Sequence, residues 1–272
     1  MTDIQSYSPG DEKEEEEPDI SSALAPPVIV QNILFWPLFV FVSLVMVFSA
    51  AIVTTGVRLF SSRSFTVRFI RRVVTLYGRI VMWCWWPFVW VRYRDRAPHD
   101  PDDSCIIVCN HRAATDAFLM ACMPFDAVQL VNDWPLRLPV LGWVARLVEY
   151  IDITNVAVEK FYQKGQALLE KGVCVISFPE GTRSGSPQMG PFTSSVFRLA
   201  LRAQVPIVPL AISGNEDIPP KGSFMLRPGH IKVHKLPAVR PREYEGMDAY
   251  HLKQHLRNVL QEHLNQTEER TG

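Results

Sequence analysis

The strongest constraint on this chain is a stretch with no charged residue, running from Ile20 to Val57. Its densest part, Ile33 to Val53, reads ILFWPLFVFVSLVMVFSAAIV. Wound as a helix, that part would be about 31 Å long, close to the hydrocarbon thickness of a bilayer. Soluble cores seldom use an uncharged run of this length, so the run points to a membrane. A buried core helix is the alternative. Pro37 leaves room for a bent or re-entrant helix in place of a straight span.

The next segment has a different pattern. At 100° steps from Phe65 to Val81, Arg68, Arg71, Arg72, Thr75 and Arg79 fall in one wedge, and apolar residues fill the rest. A basic, strongly apolar helix of this kind suits the headgroup boundary. It leads into Trp83, Trp85, Trp86 and Trp90, whose amphipathic rings favour the same depth. Aromatic packing in a soluble core is the alternative for that cluster. Residues 1–27 read as a disordered acidic tail, with Asp11, Glu12, Glu14 and Asp19 among its acids. An acidic start argues against a cleavable secretion signal. Residues 28–96 then form a membrane-associated helical segment, and 97–272 an α/β domain. Arginines cluster after the apolar run, so the positive-inside tendency places the α/β domain on the cytoplasmic face.

Lys and Arg number 28, as do Asp and Glu, so no whole-molecule field argues for nucleic acid. The five cysteines are an odd number without a Cys-x-x-Cys pair, which suits buried small hydrophobes in a reducing compartment. Cys105 and Cys109 lack further ligands for a zinc site, and no metal is expected.

After Pro101, short β-branched runs alternate with helical stretches. The expected strands are 105–109, 127–131, 173–178, 205–211 and 231–236, and the expected helices are 115–123, 156–171, 192–203 and 248–264. The pattern predicts a mixed, largely parallel sheet flanked by helices, preceded by the membrane-embedded helical segment. Ligand sites in such sheets gather at the carboxyl ends of strands. Two motifs sit at such ends.

The first is Asn110-His111-Arg112-Ala113-Ala114-Thr115-Asp116, directly after a strand. On one helix His111 and Asp116 would lie about 140° apart and could not meet, whereas a strand-to-helix turn can fold them together. A neutral imidazole can take a proton from a lipid hydroxyl as its oxygen attacks a thioester, and a carboxylate on the far ring nitrogen fixes the tautomer. Asp116 as a plain helix cap is the alternative. The second motif is Phe178-Pro179-Glu180-Gly181-Thr182-Arg183-Ser184. Arg183 offers a fork suited to a phosphate, while Glu180 either takes a substrate hydroxyl or holds Arg183. A polar turn with an internal Glu–Arg pair is the alternative. Gly181 to Gly190 reads as a flexible loop with room to act as a partial lid. His251 and His255 are placed on the polar side of the last helix, and His230 and His234 toward solvent.

Asn-His-x4-Asp, then Phe-Pro-Glu-Gly-Thr-Arg-Ser, then Val205-Pro206-Ile207-Val208-Pro209 resembles the 1-acylglycerol-3-phosphate acyltransferase family over residues 100 to 215. The resemblance implies His111 as general base with Asp116 as partner. It implies that Glu180, Gly181, Thr182 and Arg183 help bind a lysophospholipid acceptor. It further implies acyl-CoA or acyl-carrier protein as co-substrate, no metal and no other cofactor, membrane lipids as surroundings, and phosphatidic acid as product. An acyltransferase for another lysolipid or lipid alcohol is the alternative, or a non-catalytic lipid-binding relative. One block departs from the family pattern: Asn132 and Ile153 stand where basic residues are common. Arg137, Arg146 or Arg183 would then have to serve the acceptor phosphate.

Overall fold

The structure, a computed structural model, describes residues 25–96, 104–123, 125–137 and 139–269. All but the last three residues of the expected acidic tail lie outside the described residues. Pro26 and Pro27 instead open helix α1 (Pro26–Phe60), in a first turn where a missing N–H costs nothing. α1 runs on through Pro37. At 35 residues it is about 52 Å long. Its most apolar 18-residue window is 0% buried, and by length and composition it can cross a membrane.

Two serines turn the chain into α2 (Arg63–Cys84), and the Ser62 side chain caps it at the Phe65 N–H. The Ser43 hydroxyl meets the Tyr77 hydroxyl at 2.7 Å, so α2 runs back along α1 as an antiparallel hairpin. Only the first turns of α1 are buried, through the stripe Val28, Gln31, Asn32 and Phe35. Asn32 fastens that end to the α/β domain: its Nδ2 donates to the Leu226 carbonyl at 2.8 Å, and its Oδ1 accepts from the Leu226 N–H at 2.9 Å. From Phe41 to Phe60 many of the large apolar side chains of α1, such as Phe41, Phe48 and Leu59, are exposed.

The remaining elements are β1 (Val89–Asp95), β2 (Ile106–Cys109), α3 (Asp116–Leu119), β3 (Ala127–Val131), α4 (Asp133–Arg137), α5 (Pro139–Leu147), β4 (Ile151–Asp152), α6 (Val158–Leu169), β5 (Cys174–Ser177), α7 (Ser195–Ala203), β6 (Ile207–Ser213), β7 (Gly229–Lys235) and α8 (Ala249–Glu269). The strands form one sheet in the order β1-β7-β6-β2-β5-β3-β4. Every pairing is parallel except β6 with β7. Alternate residues of the central strands point to opposite faces, as the pleat requires. Ile106, Val108 and Val175 pack with α6, α7 and α8, whereas Ile107, Cys109 and Ile176 pack toward Phe35, Val81 and Trp85 of the hairpin side. Both faces of β2, β5 and β6 are therefore covered, which explains their unbroken apolar runs. Cys84, Cys105, Cys109 and Cys174 are buried and unbridged.

Several elements differ from expectation. β1 lies ahead of residue 97, so the sheet begins inside the stretch read as membrane-associated and helical. Its Val-Trp-Val-Arg-Tyr-Arg alternation is a strand pattern that the neighbouring tryptophans obscured. β4 is two residues long, too short to show a period. α4 and α5 lie between the expected strand 127–131 and helix 156–171, where no element was expected. His234 is buried, not solvent-facing: its Nδ1 lies 2.7 Å from His263 Nε2 of α8. Burial, then the neighbouring His263 and the cations Arg96, Arg94 and Lys232, push its pKa down to about 4.

The hairpin meets the domain closely at Gly78. A Cβ there would lie 2.3 Å from the Ala121 Cβ, which itself sits on a backbone turn and has no room to yield. Gly78→Val is expected to destabilise the protein by about 1–3 kcal/mol through overpacking, read as a lower denaturant midpoint.

Candidate active site

Three strands deliver the site at their carboxyl ends: β2, β5 and β6, which are adjacent in the sheet. Asn110, fully buried, ties the first two residues after β2 to β6. Its Nδ2 donates to the Ile212 carbonyl at 2.9 Å and its Oδ1 accepts from the Ile212 N–H at 2.8 Å. The backbone then turns, and Asp116 opens α3. The Asp116 carboxylate is fully buried, and donors surround it. Oδ2 accepts from the Arg112 N–H at 2.7 Å, the Ala113 N–H at 3.0 Å and His111 Nδ1 at 2.7 Å. Oδ1 accepts from Asn215 Nδ2, in the turn after β6. With two backbone amides already donating to Oδ2, a third donor suits that oxygen, and the Nδ1–H tautomer of His111 supplies it. Nε2 is left with a free lone pair. The His111 side chain is 21% exposed, and its ring lies against that of Phe178 with centroids 4.5 Å apart.

The second motif wraps around the first. The Ser184 N–H donates to the His111 carbonyl at 2.8 Å, and the Gly185 N–H to the Arg112 carbonyl at 3.1 Å. Glu180 does not hold Arg183. Its Oε1 accepts from the His111 N–H at 2.7 Å and its Oε2 from the Gly190 N–H at 2.8 Å. The physical reason is position: the turn aims the carboxylate back at two amides that have no other acceptor in a partly dry place. Burial raises the Glu180 carboxyl above its usual value, and those two hydrogen bonds pull the other way. Gly181 has φ +72°, and a Cβ there would meet nothing within 4 Å, so glycine is needed for its left-handed backbone and not for space. Asn132 Nδ2 donates to the Gly181 carbonyl at 3.1 Å.

The structure thus brings His111, Asp116, Glu180, Gly181 and Arg183 into one region. Thr182 is exposed beside them. The Arg183 guanidinium is half-buried and makes no hydrogen bond or ion pair with any described residue. Arg137 instead pairs with Asp133 and points outward, and Arg146 donates to the Leu136 carbonyl. Three participants escaped the sequence reading: Asn110, Arg112 and Asn215. Arg112 is buried, donating to Glu216, to Glu268 of α8 at 2.7 Å and to the Pro187 carbonyl at 2.8 Å. Asn215 lies 99 residues from Asp116, beyond any local spacing rule. The only sequence signal for it was its place after a third strand end, at Ser213-Gly214-Asn215.

The fold and site define an Acyltransferase-class α/β domain, and the pattern of the Acyltransferase family matches residues 89–213. A 1-acyl-sn-glycerol-3-phosphate acyltransferase of Pseudomonas aeruginosa is 30% identical over 181 residues, covering 65% of this chain and 70% of the relative. The chain belongs to the 1-acyl-sn-glycerol-3-phosphate acyltransferase family. An enzyme of the same name from Limnanthes alba is 32% identical over 144 residues, 51% of each chain. The chain spans about half the length of several curated relatives it matches. In fold it is similar to the crystal structure of the 1-acyl-sn-glycerophosphate (LPA) acyltransferase PlsC of Thermotoga maritima, with a TM-score of 0.75 and 21% identity, over 89% of this chain and 98% of that one.

The buried Asp116–Asn215 contact carries a pH prediction. Asn215→Asp sets two buried carboxylates against each other, so one of them takes a raised pKa and its ionisation opposes folding. That variant is expected to lose stability as pH rises through the raised value, being weaker at about pH 8 than at about pH 5. Denaturant midpoints for it and the parent protein check the sign.

Proposed function

We propose that the chain transfers a fatty acyl group from the thioester of acyl-CoA or acyl-carrier protein to the hydroxyl of 1-acylglycerol-3-phosphate, giving phosphatidic acid and a free thiol. The observation that carries the reading is the His111–Asp116 pair: an imidazole held by Nδ1 with its Nε2 unpaired in a half-open ring position. In this reading Nε2 takes the acceptor hydroxyl proton as the oxygen attacks the thioester carbonyl. Asp116 stabilises the imidazolium that forms. Collapse of the tetrahedral intermediate expels the thiolate, which recovers the proton from His111. No acyl-enzyme is needed, because a thioester is already activated. The free fork of Arg183 suits the acceptor phosphate. Glu180 acts on His111 through the backbone, as a clamp on the loop.

Membrane seating follows from the hairpin. The start of α1 and the end of α2 both dock on the same α/β domain, so the hairpin enters and leaves from one side. Its exposed apolar surface suits the acyl region of one leaflet, with the arginines of α2 reaching to headgroups. The proposed side is the cytoplasmic one. Donor and acceptor both carry acyl chains, and a surface that holds them beside His111 supplies proximity.

The test is donor-dependent thiol release by the full chain in vesicles, with lysophosphatidic acid and other lysolipids as acceptors. His111→Ala is expected to fall to background while staying folded and vesicle-bound; retained turnover would refute the mechanism. Arg183→Ala is expected to raise KM for lysophosphatidic acid by about tenfold or more, in keeping with a lost charge-assisted pair. Turnover only with another acceptor would move the substrate assignment, and silence with every donor and acceptor would favour a lipid-binding protein without catalysis.

A further inference from the structure

α8 lies outside the residues matched to the Acyltransferase family, yet it reaches the His111 loop at two points. Its leucines, Leu252, Leu256, Leu260 and Leu264, are buried in the core and hold it in place. Arg257 and Glu268 are eleven residues apart on it, about three turns, and so point the same way. That direction is about a quarter turn from the centre of the leucine stripe.

Arg257 grips the loop after the second motif. Its Nη2 donates to the Met189 carbonyl at 3.1 Å and its Nε to the Gly190 carbonyl at 3.3 Å. The Gly190 N–H donates to Glu180, which accepts the His111 N–H from its other oxygen. Glu268 grips the first motif directly, accepting from the buried Arg112 guanidinium, which also donates to Pro187 of the same loop. The His111 peptide is thus held on its N–H side through Glu180, Gly190 and Arg257, and on its C-terminal side through Arg112 and Glu268.

We infer that α8 is the positioning frame of the His111 loop, with Arg257 and Glu268 as positioning residues that set the imidazole without touching substrate. Glu268 is exposed and Arg257 half-buried, both outside the leucine packing, so their loss loosens the loop and leaves the core intact. A small misplacement of a general base is costly in rate, because proton transfer needs hydrogen-bond reach.

The kinetic part of this inference rests on the acyl-transfer reading; a second readout does not. Arg257→Gln, Arg257→Lys and Glu268→Gln are made in the full chain. The glutamine variants are expected to lower kcat by about tenfold with KM for both substrates within about twofold. Arg257→Lys, which keeps a cation within reach of the carbonyls, is expected to recover part of that loss. Hydrogen exchange is expected to quicken at residues 111–113 and 184–190 in the glutamine variants, with protection of β2 and β6 unchanged. Unchanged exchange in those loops overturns the inference, and so does a rise that spreads equally through β2 and β6, which marks general loosening. Unchanged kcat in an active enzyme overturns it as well. If the parent protein releases no thiol at all, acyl transfer fails as a reading, and the exchange pattern alone decides whether α8 frames the loop.

Discussion

A single buried carboxylate organises this molecule's chemistry. Asp116 sits beyond the reach of water, and such a charge is tolerable only where donors replace its hydration. Here they are two amides of its own turn, an imidazole and the amide of Asn215. Three of these come from the turn after β2 and one from the turn after β6, so the full set of donors assembles only when β2 and β6 lie side by side. The same arrangement decides the imidazole tautomer. Fold and reactivity are therefore coupled at one atom pair, and the polar centre between two apolar layers is part of what specifies the strand order.

Around that centre the backbone does most of the binding. Ser184 and Gly185 bond to the carbonyls of His111 and Arg112, while Glu180 receives the His111 amide. The residues of the second motif with ligand-binding chemistry divide into two groups. Glu180 and Gly181 shape the loop. Arg183 is the member left with an unengaged charge.

The hairpin adds a second coupling, between the α/β domain and the long apolar helix. Asn32 fixes one end of α1 to Leu226, and Gly78 lets α2 approach the turn after α3. Phe118 of α3, two residues past Asp116, meets Phe39, Tyr77 and Trp85 of the hairpin edge to face. The element that carries Asp116 is thus packed directly against the hairpin, so the position of the site and that of the long apolar helix are set together.

Much of this was legible in the amino-acid order. The uncharged run, the alternation of short apolar stretches with helical ones, and the spacing of His111 and Asp116 are local properties, carried by residues within a few turns of one another. So are the strand-end positions of both motifs. What lay hidden depends on residues far apart in the chain. The mate of Asp116 is at position 215, the ends of Arg112 are met from 216 and 268, and Glu180 answers to the amides of 111 and 190. No period or spacing encodes such pairs, because they follow from which strands become neighbours and how each turn aims its side chains. The sequence by itself determined the class of fold, the long apolar helix and the two polar motifs at strand ends; only tertiary packing decided which of their side chains bind one another, since hydrogen-bond partners are chosen by direction and desolvation after the sheet has formed.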